Sequence, residues 1–362
     1  MKQHRGRLVD VDSLPDLDHR LAVGARSLSG WRVRGLDLTE RSEELLERNL
    51  AGATFVDCEW APGAAERARD AGALVLATSS QALPGRARSS LYDVDDLYDA
   101  TTWAASLDGR AYAWSRQPPT PDSALRQALH DHAIDQALQA WAASRQVVGV
   151  MGGHAARRGD PTYRDAARLA QDLGGGLAVA TGGGPGAMEA ANLGAWYAAT
   201  GPADLDEAVA RLAAVPSYRP SIDAWVTSAR AVRAALAPGA DSLGIPTWHY
   251  GHEPPNLFAT VVAKYFRNAT REAILLEVCD AGIVFLPGAG GTVQEIFQDA
   301  CENYYADESS LAPMVLLGRE YWTETLPAWP LLETLARGRP MQDHVHLVDT
   351  VDEAAAILRA GA

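Results

Sequence analysis

Between residues 147 and 349 the chain repeats one arrangement: a short continuous apolar run, then small residues, then a helical segment. VVGVMGG (147–153) precedes YRDAARLAQDLG, and LAVATGGGPG (177–186) precedes AMEAANLGAWYAA. GIVFLPGAGG (282–291) precedes TVQEIFQDACENYY, MVLLG (314–318) precedes YWTETLPAWPLLETLA, and HVHLVD (344–349) precedes VDEAAAILRA. Strands that are apolar at every position, not every second one, must be covered on both faces. Alternation with helices then predicts an α/β fold, a Rossmann-like doubly wound parallel sheet with helices on both faces. Right-handed crossovers bring the strand C-termini to one edge, where such sheets bind ligands. The segment 201–265 is less regular and predicts a helical insertion, a short strand near DSLGIPTW and an irregular loop.

The 362 residues are more than one ordinary domain needs, since ~150 residues per domain is the usual expectation. RQPPTPDS (116–123) holds three prolines and reads as a linker. It divides a small N-terminal α/β accessory domain, 1–120, from the Rossmann-like domain, 121–362. In the first part VRGLDL, ATFVDCEW and GALVLATSS read as strands, and ERSEELLERNL and PGAAERARDAG as helices. Ser123–Ala143 reads as the helix that opens the second.

A net charge of −14 gives no general field for nucleic acid or an anionic membrane, so neither is an expected partner. Three scattered cysteines form no disulfide framework and no zinc spacing, which fits a reducing cytoplasm. The N-terminal MKQHRGRLVDVDSLPDLDHR does not read as a signal peptide. The longest apolar stretch, AILLEVCDAGIVFL, is interrupted by Glu277 and Asp280, short of the ~18 residues a membrane span needs.

An acidic chain that binds an anion must do so locally. Three strand-to-helix turns offer the means: Gly152 and Gly153, then Gly182, Gly183 and Gly184, then Gly288, Ala289, Gly290 and Gly291. A residue without Cβ lets a ligand oxygen approach the amides, and the helix N-terminus behind adds free N–H groups and a partial positive charge. Together these make a phosphate site without net basic charge. No Gly-Lys-Ser/Thr follows any turn, which excludes a Walker loop, and no GxGxxG with a distant acid suggests classical NAD binding. Thr292 opens the next helix, and Glu295 places a carboxylate in its first turn.

TGGGPGAMEAAN (181–192) with PGAGGTVQE (287–295) resembles the LOG family of "lysine decarboxylase-like" phosphoribohydrolases, whose hallmark is P-G-G-x-G-T-x-x-E. The resemblance covers roughly residues 125–362. Gly184–Met188 and Glu253-Pro254-Pro255-Asn256 look closest to the larger bacterial nucleotide 5′-monophosphate nucleosidases, which carry an extra N-terminal domain. Ala289 stands where the hallmark has its second glycine, and backbone approach survives there if φ is negative.

The resemblance implies hydrolysis of the N-glycosidic bond of a nucleoside 5′-monophosphate to free base and ribose 5-phosphate, in a homodimer or larger homo-oligomer. It implies catalytic Glu295, near the oxocarbenium-like sugar. It also implies a catalytic arginine on the preceding helix: Arg271 is the better match and Arg267 the second candidate. The Gly288–Gly291 amides, Thr292 and the Gly182–Gly184 turn would hold phosphate. Gly152, Gly153, His154, Met188, Glu189 and Asn192 would border base or ribose. No cofactor is expected, and no metal, although His249, His252 and Glu253 lie close in WHYGHEPPN. The other reading of the same residues is a non-catalytic carrier of a nucleotide or pterin-type cofactor. A pyridoxal-phosphate decarboxylase is excluded because the only lysine of this region, Lys264, is not beside a glycine turn.

Overall fold

The computed structural model describes residues 9–76, 90–249 and 252–361. The end of GALVLATSS (77–80), residues 1–8 and residues 250 and 251 of WHYGHEPPN lie outside them. The chain forms two compact units, with the boundary between Arg88 and Ser89. The proline-rich stretch is therefore not the divide.

The first unit contains β1 (Val9–Val11), α1 (Leu14–Ala22), β2 (Trp31–Arg34), α2 (Ser42–Leu46), β3 (Thr54–Val56), α3 (Ala64–Asp70) and β4 (Leu74–Leu76). The strands pair in parallel in chain order. Val11, Val33, Phe55 and Val75 stack one above the next and are buried. Gly30 donates to Gly52 O at 2.9 Å and Gly52 to Gly72 O at 3.1 Å, so the same turn recurs. Gly35 (φ 62°) and Asp57 (φ 53°) take the same left-handed corner one coil apart. This is a short solenoid with a period of about twenty residues, in which each coil buries its apolar side on its neighbours.

The second unit begins with α4 (Val94–Leu97) and α5 (Leu107–Ser115), both ahead of the proline stretch. Tyr92 exchanges backbone hydrogen bonds with Val262, and the Tyr98 hydroxyl donates to Pro255 O at 2.7 Å. That is why the unit reaches back to residue 89. The prolines instead lead into α6 (Pro121–Ala142). There the Thr120 hydroxyl accepts from Ser123 N–H at 3.1 Å while Ser123 Oγ accepts from Thr120 N–H at 2.9 Å, a capping box with Pro121 in the first turn.

There follow β5 (Val147–Met151), α7 (Pro161–Leu173), β6 (Ala178–Thr181), α8 (Ala187–Trp196), α9 (Pro202–Leu212), α10 (Ile222–Arg233), β7 (Ser242–Gly244) and β8 (Val261–Val262). Then come α11 (Asn268–Glu277), β9 (Ile283–Phe285), α12 (Gly290–Tyr305), β10 (Met314–Leu317), α13 (Trp329–Ala336), β11 (Val345–Val348) and α14 (Val351–Gly361). The seven strands are all parallel, in the order β11-β10-β9-β5-β6-β7-β8. Every residue of β5, β6, β7, β9 and β10 is buried, as the apolar runs require. The sheet is of the Rossmann-like doubly wound kind. From β5 the chain builds outward to β8, then returns to lay β9 on the other side of β5. The crevice beyond the C-termini of β5 and β9 is thus the topological switch point, the favoured ligand position in such sheets.

One helical expectation divides. YWTETLPAWPLLETLA is a wide turn at Tyr321–Thr325, in which Leu326 N–H reaches Tyr321 O at 2.8 Å, followed by α13. Pro327 has no N–H to continue a regular ladder. The turn sets the Tyr321 hydroxyl to donate to Gly288 O at 2.6 Å.

Candidate functional site

The loops after β5 and β9 meet at the switch point. Leu286 N–H donates to Met151 O at 2.9 Å and Gly153 N–H to Pro287 O at 3.2 Å. Gly152 has φ 89°, and a Cβ there would lie 2.4 Å from Leu286 O, so the close approach of the loops demands glycine.

Helix α12 starts at Gly290, two residues before Thr292, the start expected from sequence. Ala289 is its N-cap in extended conformation, with φ −109°, and offers no side-chain acceptor. The negative φ accommodates its Cβ. Gly290 and Gly291 are exposed, with open space where a Cβ would point. Their N–H groups precede the first helical bond, Val293 N–H to Ala289 O at 3.1 Å, and have no acceptor among the described residues. Thr292 is 5% exposed and its hydroxyl lies under Gly288, so it supports the loop from within rather than facing outward.

One turn further, Glu295 is mostly buried, and burial pushes its carboxyl up to about 7, against a downward pull from Arg271. Arg271, on α11, is likewise mostly buried. Its Nη1 donates to Glu272 Oε2 at 2.7 Å and lies 3.9 Å from Glu295 Oε1. Its Nε is buried without a hydrogen-bond partner. Arg271, not Arg267, is thus the arginine at Glu295. Arg267 caps α11, donates its backbone N–H to Asp131 Oδ2 at 2.9 Å, and has no ion pair among the described residues.

The turn after β6 differs from its sequence reading. Gly182, Gly183 and Gly184 are all buried. A Cβ on Gly182 would lie 2.8 Å from Met188 Sδ and 3.0 Å from Arg271 Nη2; one on Gly183 would lie 2.6 Å from Pro246. The smallness of these residues serves protein packing, and the open ledge is confined to Gly290 and Gly291. Met188 packs against Gly182 and Gly184. Asn192 is fully buried, with Oδ1 accepting from the Thr181 hydroxyl and from Asn256 Nδ2, both at 2.8 Å. It holds the turn from inside instead of facing base or ribose. Glu189 is fully buried, and its carboxylate accepts from Arg158 Nε at 2.9 Å and Nη2 at 2.5 Å. That commits it to the scaffold. Sequence reasoning missed Arg158, whose only signal was its place in the long loop after β5, and Asn256, which lay in the quoted EPPN stretch.

His154 is exposed and borders a cavity of about 330 Å³ together with Gly186, Tyr218, Arg219 and Glu253. A larger cavity of about 810 Å³, within the size range of ligand pockets, is lined by Asp131, His249, Phe266, Arg267, Asn268 and Gln294 among others. His252 lies against the rings of Trp103 and Tyr112, with centres 4.0 and 4.9 Å away, and 3.6 Å from Asp108; burial pushes its imidazole down to about 4. Among the described residues no three of His, Cys, Asp and Glu are placed to share an ion. No helix among them is long and apolar enough to cross a membrane.

Asp299, the next turn of α12, is 6% exposed, and burial with Glu302 nearby pushes it up to about 8. A raised carboxyl means the folded state holds protons the unfolded state has lost. The stability this gives is complete below the ordinary carboxylate range and is lost as pH rises through about 7 to 8. The melting temperature should therefore be higher at pH 5.5 than at pH 8.5. Asp299→Asn should flatten this slope and stabilise the protein at pH 8.5 by about 2 kcal/mol, measured by calorimetry.

No family model matches the chain, and no curated protein matches it. The LOG resemblance therefore rests on the quoted motifs alone. Among solved structures, the molybdenum cofactor binding protein from the phototrophic bacterium Rippkaea orientalis is similar over 60% of this chain and 96% of its own, with 17% identity and a TM-score of 0.36. The molybdenum cofactor carrier protein of Chlamydomonas reinhardtii is similar over 60% of this chain and 98% of its own, with 17% identity and a TM-score of 0.39.

Proposed function

We propose that the protein binds a nucleoside 5′-monophosphate at the switch point and hydrolyses its N-glycosidic bond. One observation carries this reading: a buried carboxyl held near neutrality, Glu295, stands one turn into a helix whose first amides are free and open. Such amides favour a phosphate, and an anchored phosphate converts binding energy into orientation of the sugar. Glu295, partly ionised at neutral pH, takes a proton from water as the water oxygen bonds to C1′. The C1′–N bond breaks, the base leaves with its electron pair, and the proton taken up by Glu295 passes to the base, directly or through water, which restores the carboxylate. Arg271, whose Nε is buried without a hydrogen-bond partner, supplies a cation beside Glu295 and draws its carboxyl toward the anion against the effect of burial.

The second reading, a carrier without turnover, uses the same ledge, since anion binding by amides does not oblige chemistry. Likeness to molybdenum cofactor carriers is too slight to choose between the two. The deciding experiment incubates the protein with AMP, GMP, CMP, UMP and IMP and separates products by chromatography. Free base and ribose 5-phosphate from at least one are expected; tight binding without release from any would establish the carrier. Assembly into a homo-oligomer belongs to the same proposal and is read by light scattering.

A further inference from the structure

Arg271 has two carboxylates within reach and hydrogen-bonds one of them. Its Nη1 is 2.7 Å from Glu272 Oε2 and 3.9 Å from Glu295 Oε1, and all three side chains are mostly buried. Glu272 is itself steadied by Asn268, whose Nδ2 donates to Oε1 at 3.3 Å. On the Gly182 side a Cβ would lie 3.0 Å from Nη2, so the guanidinium is hemmed there as well. We propose that Glu272 is a positioning residue that draws Arg271 off Glu295, leaving Glu295 outside hydrogen-bond distance of the guanidinium and able to exchange a proton. This inference rests on the reading of Glu295 as the acid–base group.

The physical reason is competition. A carboxylate in contact with a guanidinium is stabilised as the anion and makes a poor proton acceptor. Spending Arg271 on Glu272 keeps the cation close enough to meet charge on the ligand and too far to fix Glu295 as an anion. The titratable groups that face Glu295 from α11 and the turn after it are Arg271, Glu272 and the buried Cys279 thiol; on α12 itself Asp299 is one turn away. Of these, Glu272 is the one whose negative charge both raises Glu295 and holds the arginine.

The test titrates Glu295 directly, by carbon NMR of the full chain labelled at glutamate carboxyls, with Glu295→Gln to assign the signal. Wild type should titrate near 7. In Glu272→Gln the midpoint should fall by about one unit or more, as Arg271 turns to Glu295. Glu272→Asp, which keeps the charge, should restore most of the difference. Should Glu272→Gln fail to fold, Asn268→Ala loosens the same carboxylate and should move the midpoint in the same direction by less. An unmoved or raised midpoint in the variant that folds overturns the proposal. The acidic limb of the pH–rate profile should follow the midpoint. If wild type releases no base yet the midpoint moves as stated, the hydrolase reading fails and the positioning role stands.

Discussion

Glu295→Gln is expected to slow base release about 10²–10⁴-fold, the range general acid–base catalysis supplies, while nucleotide affinity changes little. The amide keeps the side chain's shape and cannot exchange a proton in the reaction. The Gly290 and Gly291 amides, which bear the proposed phosphate, are untouched. Stability offers an internal control. The native carboxyl is raised by burial, so its ionised form is a liability above neutrality. Removing that charge should leave the protein no less stable at pH 8, set against a helix-dipole loss of about 0.3–1 kcal/mol. Loss of release with stability and binding retained, measured by chromatography, calorimetry and titration, assigns chemistry to this one group. Equal release from the variant would remove Glu295 from the mechanism.

The largest stability effect is expected at a cluster outside the proposed site. Lys264 and Asp108 are both fully buried and joined by an ion pair. Asp108 also accepts from Trp248 Nε1 and Trp103 Nε1, each at 2.8 Å, and the lysine ammonium lies 4.9 Å from the Trp248 ring centre. Burial already pushes the Lys264 amine down, and only Asp108 opposes that. Asp108→Ala should cost about 3–5 kcal/mol, because it strands a buried charge and two indole donors. Replacing Lys264 with Met in the same chain should recover a large part, since a well-filled apolar site tolerates the loss of both partners better than of one. Urea denaturation of the two singles and the double reads this coupling. A cost below about 1 kcal/mol for Asp108→Ala would mean that water reaches Lys264. This cluster fastens α5 to the loop around Trp248 and Lys264, which explains why residues ahead of the proline stretch belong to the second unit.

The doubly wound sheet was legible in the sequence because runs such as VVGVM and GIVF leave no polar face, and only burial on both sides accommodates them. Glu295 and Arg271 were expected from the resemblance of the motifs, with Arg267 as the second candidate, and the structure places Arg271 Nη1 3.9 Å from Glu295 Oε1. The roles of small residues were not. Gly182 and Gly290 look alike in a string; Met188 and Arg271 crowd the first, while nothing described lies within 4 Å of a Cβ on the second. Glu189 looked available until Arg158, distant in sequence, claimed both its oxygens. The solenoid was missed although its signal is present: Gly30, Gly52 and Gly72 recur ahead of Val33, Phe55 and Val75. Its strands are three to four residues long, too short for periodicity within any one of them to show, and only the spacing between them carries the pattern.

The central claim is that a phosphate rests on the Gly290 and Gly291 amides with C1′ of the sugar turned to Glu295. A crystal structure of Glu295→Gln with a bound nucleoside 5′-monophosphate tests it most directly. The account requires phosphate oxygens within hydrogen-bond distance of both amides and C1′ beside the residue at 295. A phosphate held elsewhere, in the cavity beside Arg267 or the one beside Arg219, would contradict it.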